Sequence, residues 1–120
     1  MNIDKKYYQE INENLTNTIQ DTNISAPNKK VGKVRDAYFL NDKVVLISTD
    51  RQSAFDRVLA AIPYKGAVLN SVSAWWFKKT EHLFPNHLIS TPDPNVSIVE
   101  KCTVFPVEFV VRVYITGTTD

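Results

Sequence analysis

Two β-rich segments in the first half of the chain constrain its fold more strongly than any other feature. They are "VGKVRDAYFL", residues 31–40, and "KVVLIST", residues 43–49, and only Asn41 and Asp42 separate them. A two-residue polar connector between β-rich runs is typical of a β-hairpin, and both connector residues tolerate positive φ. We therefore expect two antiparallel strands here.

Two apolar patterns of helical period flank this hairpin. An apolar residue recurs every four positions through residues 3–19, and apolar residues recur at helical offsets within residues 66–84. These patterns predict two amphipathic helices that pack on the rest of the chain. The aromatic residues of the second helix, Trp76 among them, are expected to anchor a core.

The remaining segments complete the pattern of an α+β protein. The sequence predicts a third strand or extended segment at residues 54–63, a short strand at 86–90 and a loop at 91–95. Two further strands are predicted at 97–105 and 107–117. Pro106 separates the last two strands. The order of helix, hairpin, helix and strands predicts an α+β fold, with a mainly antiparallel sheet and flanking helices.

The composition excludes partners that bind through a strong global charge. The net charge is +1, so we expect neither nucleic acid nor a membrane as partner, and an electrostatic function must come from a local cluster. The single cysteine, Cys102, permits no internal disulfide and is expected to be buried in a strand. Neither histidine lies beside a carboxylate cluster, so no metal site is predicted.

The chain also lacks the signals that direct proteins out of the cytoplasm. Its N-terminus has no apolar segment of the kind found in secretory signals, and no run of about 18 apolar residues occurs. We therefore expect a cytoplasmic location.

A basic cluster at the start of the hairpin is the first candidate site. Lys29, Lys30, Lys33 and Arg35 surround Gly32, one of three glycines in the chain. On a strand–turn–strand, this segment could place backbone N–H groups and cationic side chains over a polyphosphate. It matches neither of the common glycine-rich phosphate motifs. From the residues alone, a solvated basic strand and a phosphate site both stay open.

Two further polar clusters interrupt apolar runs. Asp50, Arg51, Ser53 and Asp56 follow "VVLI", where a strand ends, and they indicate either a functional loop or a helix cap with a surface ion pair. In the last β-rich run, Glu108 and Arg112 share one strand face, while Phe109, Val111, Val113 and Ile115 point to the other face and a core. That pair is either structural or part of a ligand site.

Together these segments resemble a known enzyme family. "GKVRDAYFL", "VVLISTDRQSAFDRVL", "IPYKGAVLNSVSAWWFK" and "VFPVEFVVRVYITGT" are similar, in order and spacing, to the SAICAR synthetase family from about Lys29 to Asp120. The resemblance implies a step of purine biosynthesis, in which ATP, carboxyaminoimidazole ribonucleotide and L-aspartate give the succinocarboxamide, ADP and phosphate. It also implies an ATP-binding lobe like a kinase small lobe or an ATP-grasp at residues 29–120, after a helix and connector at 1–28.

The resemblance assigns roles to individual residues but identifies no catalytic residue. It implies that the ATP site consists of Gly32, Lys33, Val34 and Arg35 at the phosphates, and Glu100, Lys101 and Thr103 in a hinge at adenine. It implies that the substrate site consists of Asp50, Arg51, Ser53, Asp56, Glu108, Arg112, Gly117 and Thr118. Lys29 and Lys30 are expected to be solvated. Val113 replaces a glycine usual in the family, and Thr118 a serine.

The length of the chain limits the expected activity. The family's acidic "D-x-K-x-E-x-G" segment, which is expected to bind Mg²⁺, belongs to a C-terminal half that this sequence does not contain. We expect the 120 residues to be the N-terminal part of the enzyme and to catalyse no turnover on their own. The alternative is a non-catalytic module that binds a nucleotide or a protein. The sequence does not predict the oligomeric state.

Overall fold

The computed structural model describes residues 5–111 and residue 113. The described residues form two helices and seven strands: α1 Lys5–Asn14, β1 Lys29–Val31, β2 Arg35–Phe39, β3 Lys43–Ser48, β4 Arg51–Ala54, β5 Arg57–Ala61, α2 Lys65–Thr80, β6 Leu88–Asp93 and β7 Val96–Glu100. No described helix is long and apolar enough to cross a membrane.

Five strands form one antiparallel sheet in the order β1-β2-β3-β7-β6, and β4 and β5 form a separate antiparallel pair. The predicted hairpin is confirmed as β2–β3, in register from Arg35↔Ser48 to Phe39↔Val44. Its turn closes where Leu40 N–H donates to Lys43 O at 2.9 Å. The α+β class and the mainly antiparallel sheet are therefore confirmed.

The two faces of the large sheet are covered by different segments. On one face, α2 packs against β3 and β7, where Ser97 Oγ donates to Asn70 Oδ1 at 2.7 Å. On the other face, Thr22 of the connector donates its hydroxyl to Asp36 at 2.7 Å, and Tyr38 OH donates to Thr22 O at 2.8 Å. The buried apolar residues lie between these layers: Tyr38, Val44, Ile47 and Val99.

The first helix is shorter than predicted, because a tertiary contact competes with it. α1 ends at Asn14 instead of continuing to residue 19, and Asn17 N–H donates back to Asn14 O at 3.0 Å. Asn and Thr, which dominate the next residues, are weak helix formers. Ile19 instead donates its N–H to Asp50 Oδ2, and its carbonyl accepts from Asp50 N–H. The apolar residue Ile11 of α1 is 42% exposed, so the expected packing of this helix is not seen.

Several predicted strands have different bounds in the structure. The run at 31–40 is divided into β1 and β2 by a turn at 32–34, and β6 extends through residue 93, over most of the predicted loop at 91–95. The segment at 54–63 contains β5, which pairs with the unpredicted β4. Phe55 and Asp56 turn the chain between them with φ of 49° and 61°.

The strand predicted at 97–105 forms only as far as residue 100, and the predictions for residues 101–111 are wrong. β7 ends at Glu100, and residues 101–111 form no regular strand. Cys102 is exposed rather than buried, and Phe109, Val111 and Val113 are at least 80% exposed rather than in a core. A β-rich sequence forms a strand only where a partner satisfies its backbone groups, and no described strand pairs with these residues. Ile115 lies outside the described residues.

The tryptophans of α2 do not anchor the core as expected, whereas Phe77 lies on the inner face. Gly66, Asn70, Ala74 and Phe77 form the face that packs on the sheet, whereas Trp76 is 56% exposed. The helix ends at Thr80 rather than residue 84. Small residues allow the helix to approach the sheet closely, so they, rather than the indoles, take the inner face.

Candidate nucleotide and substrate site

A tight turn of residues 32–34 joins β1 to β2 and carries the basic cluster. Gly32 N–H donates to Arg35 O at 2.8 Å. A Cβ on Gly32 would lie 2.8 Å from the same oxygen, so the close backbone approach requires glycine. The side chains of Lys33 and Arg35 are exposed at this end of the sheet. The strand–turn–strand arrangement of the basic segment is confirmed.

The carbonyl groups of the turn point into the protein. Arg51 Nη2 donates to Gly32 O at 3.0 Å, and Arg51 Nε donates to Lys33 O at 3.2 Å. Thr49 donates to Val34 O from its N–H at 3.0 Å and from its hydroxyl at 2.9 Å. Because Thr49 and Arg51 directly follow β3, the end of β3 holds the turn from its inner side.

Asp36 is the buried counter-charge beneath this turn. Its side chain is 0% exposed and accepts from Arg51 Nη2 at 2.6 Å and from Thr22 Oγ1 at 2.7 Å, with Lys29 Nζ at 3.2 Å. Burial alone raises the pKa of Asp36, but the hydrogen bonds from Arg51, Thr22 and Lys29 outweigh it and leave the pKa below its ordinary value. The carboxylate therefore stays ionised inside the protein.

Lys29 belongs to the same network, so its expected role as solvated charge is wrong. Its ammonium lies 2.7 Å from Asp21 and also contacts the carbonyl of Thr22. The hydrogen bond to Asp21, with a further contribution from Asp36, raises the pKa of Lys29 to about 12. Lys30, by contrast, is exposed.

An exposed ion pair connects the turn to the β4–β5 hairpin. Lys33 Nζ donates to Asp56 Oδ1, and the two side chains are 67% and 81% exposed. The hydrogen bond to Asp56 raises the pKa of Lys33, and the same bond lowers the pKa of Asp56. The charge of Glu108 contributes weakly to raising the pKa of Lys33. The structure thus brings together members of the two predicted sites.

Asp50 faces inward and holds α2 against the connector. Its Oδ1 accepts from Gly66 N–H at 2.9 Å and its Oδ2 from Ile19 N–H at 2.8 Å. A Cβ at Gly66 would lie 2.3 Å from Ser48 O, so the close approach of α2 to the end of β3 also requires glycine at this position. A carboxylate at a helix N-terminus satisfies backbone donors that otherwise lack a partner. Both oxygens of Asp50 therefore have structural partners.

A small cavity lies between the basic turn and the first turn of α2. Its volume is about 80 Å³, and its lining includes Arg35, Thr49, Lys65 and Asn70. Lys65 also donates to Arg51 O at 3.0 Å. The cavity is thus bordered by cationic side chains from both elements.

The residues predicted to form the adenine hinge lie at the other end of the sheet. Glu100 pairs with Lys43 at the start of β3, whereas the basic turn adjoins Ser48 at its end. Five residues of strand separate these ends, roughly 17 Å. Lys101 lines a hollow of about 430 Å³ beside the β2–β3 turn. Thr103 is exposed.

The other predicted substrate residues are less constrained. Ser53 is half-buried in β4 opposite Val58, and Glu108 is exposed in the irregular segment. Arg112, Gly117 and Thr118 lie outside the described residues, so the shared strand face of Glu108 and Arg112 stays a prediction.

The inner side of the turn is organised by Asp36, Thr22 and Lys29. The sequence did not predict a role for Asp36 or Thr22, and it predicted Lys29 only as solvated charge. A signal for Asp36 was present: it lies two residues before Tyr38, on the inward phase of a strand, where a charge requires partners. Within residues 5–111 and 113, no group of three or more His, Cys, Asp or Glu residues could hold a metal ion.

Comparisons with known proteins agree on one family. A profile described as SAICAR synthetase matches residues 28–120. The chain is 60% identical over 101 residues to a phosphoribosylaminoimidazole-succinocarboxamide synthase of Legionella pneumophila (strain Lens), covering 84% of this chain and 32% of the relative. It therefore spans about a third of the length of that relative.

Solved structures agree with the sequence match. A structure titled "SAICAR SYNTHASE" has a TM-score of 0.74 and 30% identity, covering 82% of this chain and 42% of that chain. Another, titled "SAICAR synthetase (Type-2) in complex with ADP", has a TM-score of 0.60 and 29% identity, covering 66% and 35%. The profile match over most of the chain shows that this chain belongs to the SAICAR synthetase family.

Proposed function

We propose that this chain provides the ATP-binding lobe of a purine-biosynthesis ligase. The reaction joins L-aspartate to carboxyaminoimidazole ribonucleotide and gives the succinocarboxamide, ADP and phosphate. The observation that carries the proposal is the turn at 32–34, where two exposed cationic side chains stand on a backbone held from within. A related structure in complex with ADP supports it. The division of the chain into a helix and connector at 1–28 and this lobe at 29–120 is part of the proposal, and the cytoplasmic location stays a prediction.

The chemistry explains why such a turn is needed. A carboxylate oxygen is a poor leaving group, so the substrate carboxylate is first phosphorylated by ATP, and the aspartate amine then displaces phosphate. The protein contributes mainly positioning and charge stabilisation in such a phosphoryl transfer. We assign the nucleotide phosphates to the backbone of the turn with Lys33 and Arg35. Residues Glu100, Lys101 and Thr103 remain the proposed adenine hinge.

The substrate site is proposed on the outer side of the same turn. Asp56 and Glu108 are exposed, and Ser53 is half-buried. We propose that these three residues contact the ribonucleotide or aspartate together with Arg112, Gly117 and Thr118. The described residues do not fit a Mg²⁺ site, since none of their acidic side chains form a suitable cluster. No step of the proposal therefore depends on a metal held by this part of the chain.

Titration of the 120-residue chain with ADP tests the proposal. We expect Lys33→Ala to weaken ADP binding by about tenfold, since a charge-assisted hydrogen bond contributes about 1.5–3 kcal/mol. Lys30→Ala is the matched control, because Lys30 is an exposed lysine of the adjacent strand, and it should leave the affinity unchanged. Equal affinities of the wild type and Lys33→Ala would contradict the assignment.

A non-catalytic module that binds a nucleotide or a protein is the alternative, and Val113, at a position where the family usually has glycine, favours it. Both functions predict ADP binding, so a second measurement separates them. A version of the protein extended to the family's full length should form ADP in an aspartate-dependent manner if the ligase proposal is correct. ADP binding without such turnover in that extended protein supports the module.

A further inference from the structure

Arg51 is buried directly behind the basic turn, and its hydrogen bonds all point inward. The residue is 7% exposed, and its guanidinium donates to the carbonyls of Gly32, Lys33 and Gln20. It also donates to Asp36 at 2.6 Å. Since these partners occupy Nε and both terminal nitrogens, Arg51 has little capacity left to bind a substrate directly.

The direction of the two turn carbonyls determines the direction of the next two N–H groups. In a trans peptide, the C=O of one residue and the N–H of the next point to opposite sides. No described peptide bond is cis. Because the oxygens of Gly32 and Lys33 point at Arg51, the N–H groups of Lys33 and Val34 point away from it, toward the outer side of the turn.

Those two N–H groups have no acceptor among residues 5–111 and 113. They lie at the backbone of Lys33, whose ammonium is exposed on the same turn. Successive backbone N–H groups beside a cation form a concave site that suits an anion. Phosphate oxygens would satisfy both donors.

Only an arginine can make this set of contacts from one position. The guanidinium is a rigid planar fork, so separate nitrogens reach Gly32 O and Lys33 O while a third reaches Gln20 O. An ammonium has its three donors on one atom and cannot span carbonyls of successive residues with the same geometry. The paired Asp36 neutralises the buried charge, so the guanidinium adds little field of its own at the turn.

We propose that Arg51 is the positioning residue of the nucleotide-phosphate site. It holds the carbonyls of Gly32 and Lys33 on the inner side of the turn, so that the N–H groups of Lys33 and Val34 face the phosphate. This inference rests on the proposed function, and it replaces the role of Arg51 as a substrate-binding residue with a role behind the turn.

The test combines ADP titration of the 120-residue chain with amide chemical shifts from nitrogen-15-labelled protein. In the wild type, ADP should shift the amide signals of Lys33 and Val34 more than those of α1, which contains no proposed site residue. We expect Arg51→Lys to lower ADP affinity by about tenfold or more and to abolish these two shifts. Arg57→Lys, at an exposed arginine of β5, is the matched control and should retain both the affinity and the shifts.

The outcomes separate this inference from the proposed function. A wild type that does not bind ADP overturns both. A wild type that binds ADP without shifting the Lys33 and Val34 amides overturns the role of Arg51 alone, and so does an Arg51→Lys variant that retains both shifts. If Arg51→Lys does not fold, the test relies on the two wild-type amide shifts. A turn that is not preorganised toward phosphate would leave the Lys33 and Val34 signals unchanged when ADP binds.

Discussion

At the scale of single residues, the inner network shows how one buried carboxylate can hold several segments together. Asp36 is in contact with the connector through Thr22, with β1 through Lys29 and with β4 through Arg51. A buried ion pair contributes little compared with an apolar pair, but removing one partner leaves an uncompensated buried charge. The network should therefore be sensitive to single substitutions.

We expect Asp36→Asn to lower the free energy of unfolding at pH 7 by about 3–5 kcal/mol, because Arg51 loses its buried counter-charge. Urea unfolding followed by circular dichroism measures the loss. Asp21→Asn is the control, because Asp21 binds the same lysine but is 79% exposed, and its effect should be much smaller.

The pH dependence of the free energy of unfolding follows from the contacts of Asp36. Since folding lowers the pKa of Asp36, its contribution is present above the unfolded pKa of about 3.9 and is lost as pH falls through the folded value. The difference in stability between wild type and Asp36→Asn should therefore shrink as pH is lowered below about 4. A difference that stays constant from pH 7 to pH 3 would show that folding does not lower the pKa of Asp36.

At the scale of elements, local signals predicted hairpins better than isolated strands. The β2–β3 hairpin followed from a short polar connector, which brings two strands together without any distant partner. Residues 107–111 have as strong a β pattern but depend on pairing elsewhere, and local sequence does not contain that information. α1 was predicted too long for the same reason, since the hydrogen bonds between Ile19 and Asp50 span 31 positions.

The site was predictable in its outward residues and not in its inner ones. A glycine among four basic residues is a visible signal, and so the turn was found. The inward positions of Asp50 and Arg51 depend on how three segments converge, and the motif alone does not show whether a charged residue faces a ligand or a neighbouring carbonyl.

The β4–β5 turn offers a test of local backbone strain. Phe55 adopts a φ of 49° and its side chain is 97% exposed, so its ring gains little from packing. Asparagine tolerates this conformation better than phenylalanine. We expect Phe55→Asn to raise the free energy of unfolding by up to about 1 kcal/mol. Phe84→Asn, also at an exposed phenylalanine but without positive φ, should give no increase in the same urea experiment.

At the scale of the whole molecule, α2 exposes a group of large apolar side chains away from the sheet. Its inner face packs on the sheet, and its outer face exposes Val68, Val72, Trp75 and Trp76 by 50–59%. An exposed apolar surface of this kind promotes association.

We expect the 120-residue chain to scatter light increasingly as its concentration rises, and the double substitution Val72→Lys/Trp76→Lys to suppress this. Because both side chains are exposed, the free energy of unfolding should stay nearly the same. Phe77→Lys, on the inner face, is the contrasting variant and should lower that free energy. Scattering that is unaffected by the double substitution would assign the association to another surface.

The ion pair between Lys33 and Asp56 makes phosphate binding an exchange of partners. If Lys33 binds a nucleotide as proposed, the phosphate must displace the carboxylate that already holds it. The cost of separating the ion pair then offsets part of the favourable interaction between Lys33 and the phosphate. Without its cation, Asp56 has a higher pKa than it has in the ion pair. Nucleotide binding is thereby linked to proton uptake near pH 4. Asp56 therefore competes with the phosphate for Lys33, while Arg51 keeps β4 attached to the turn.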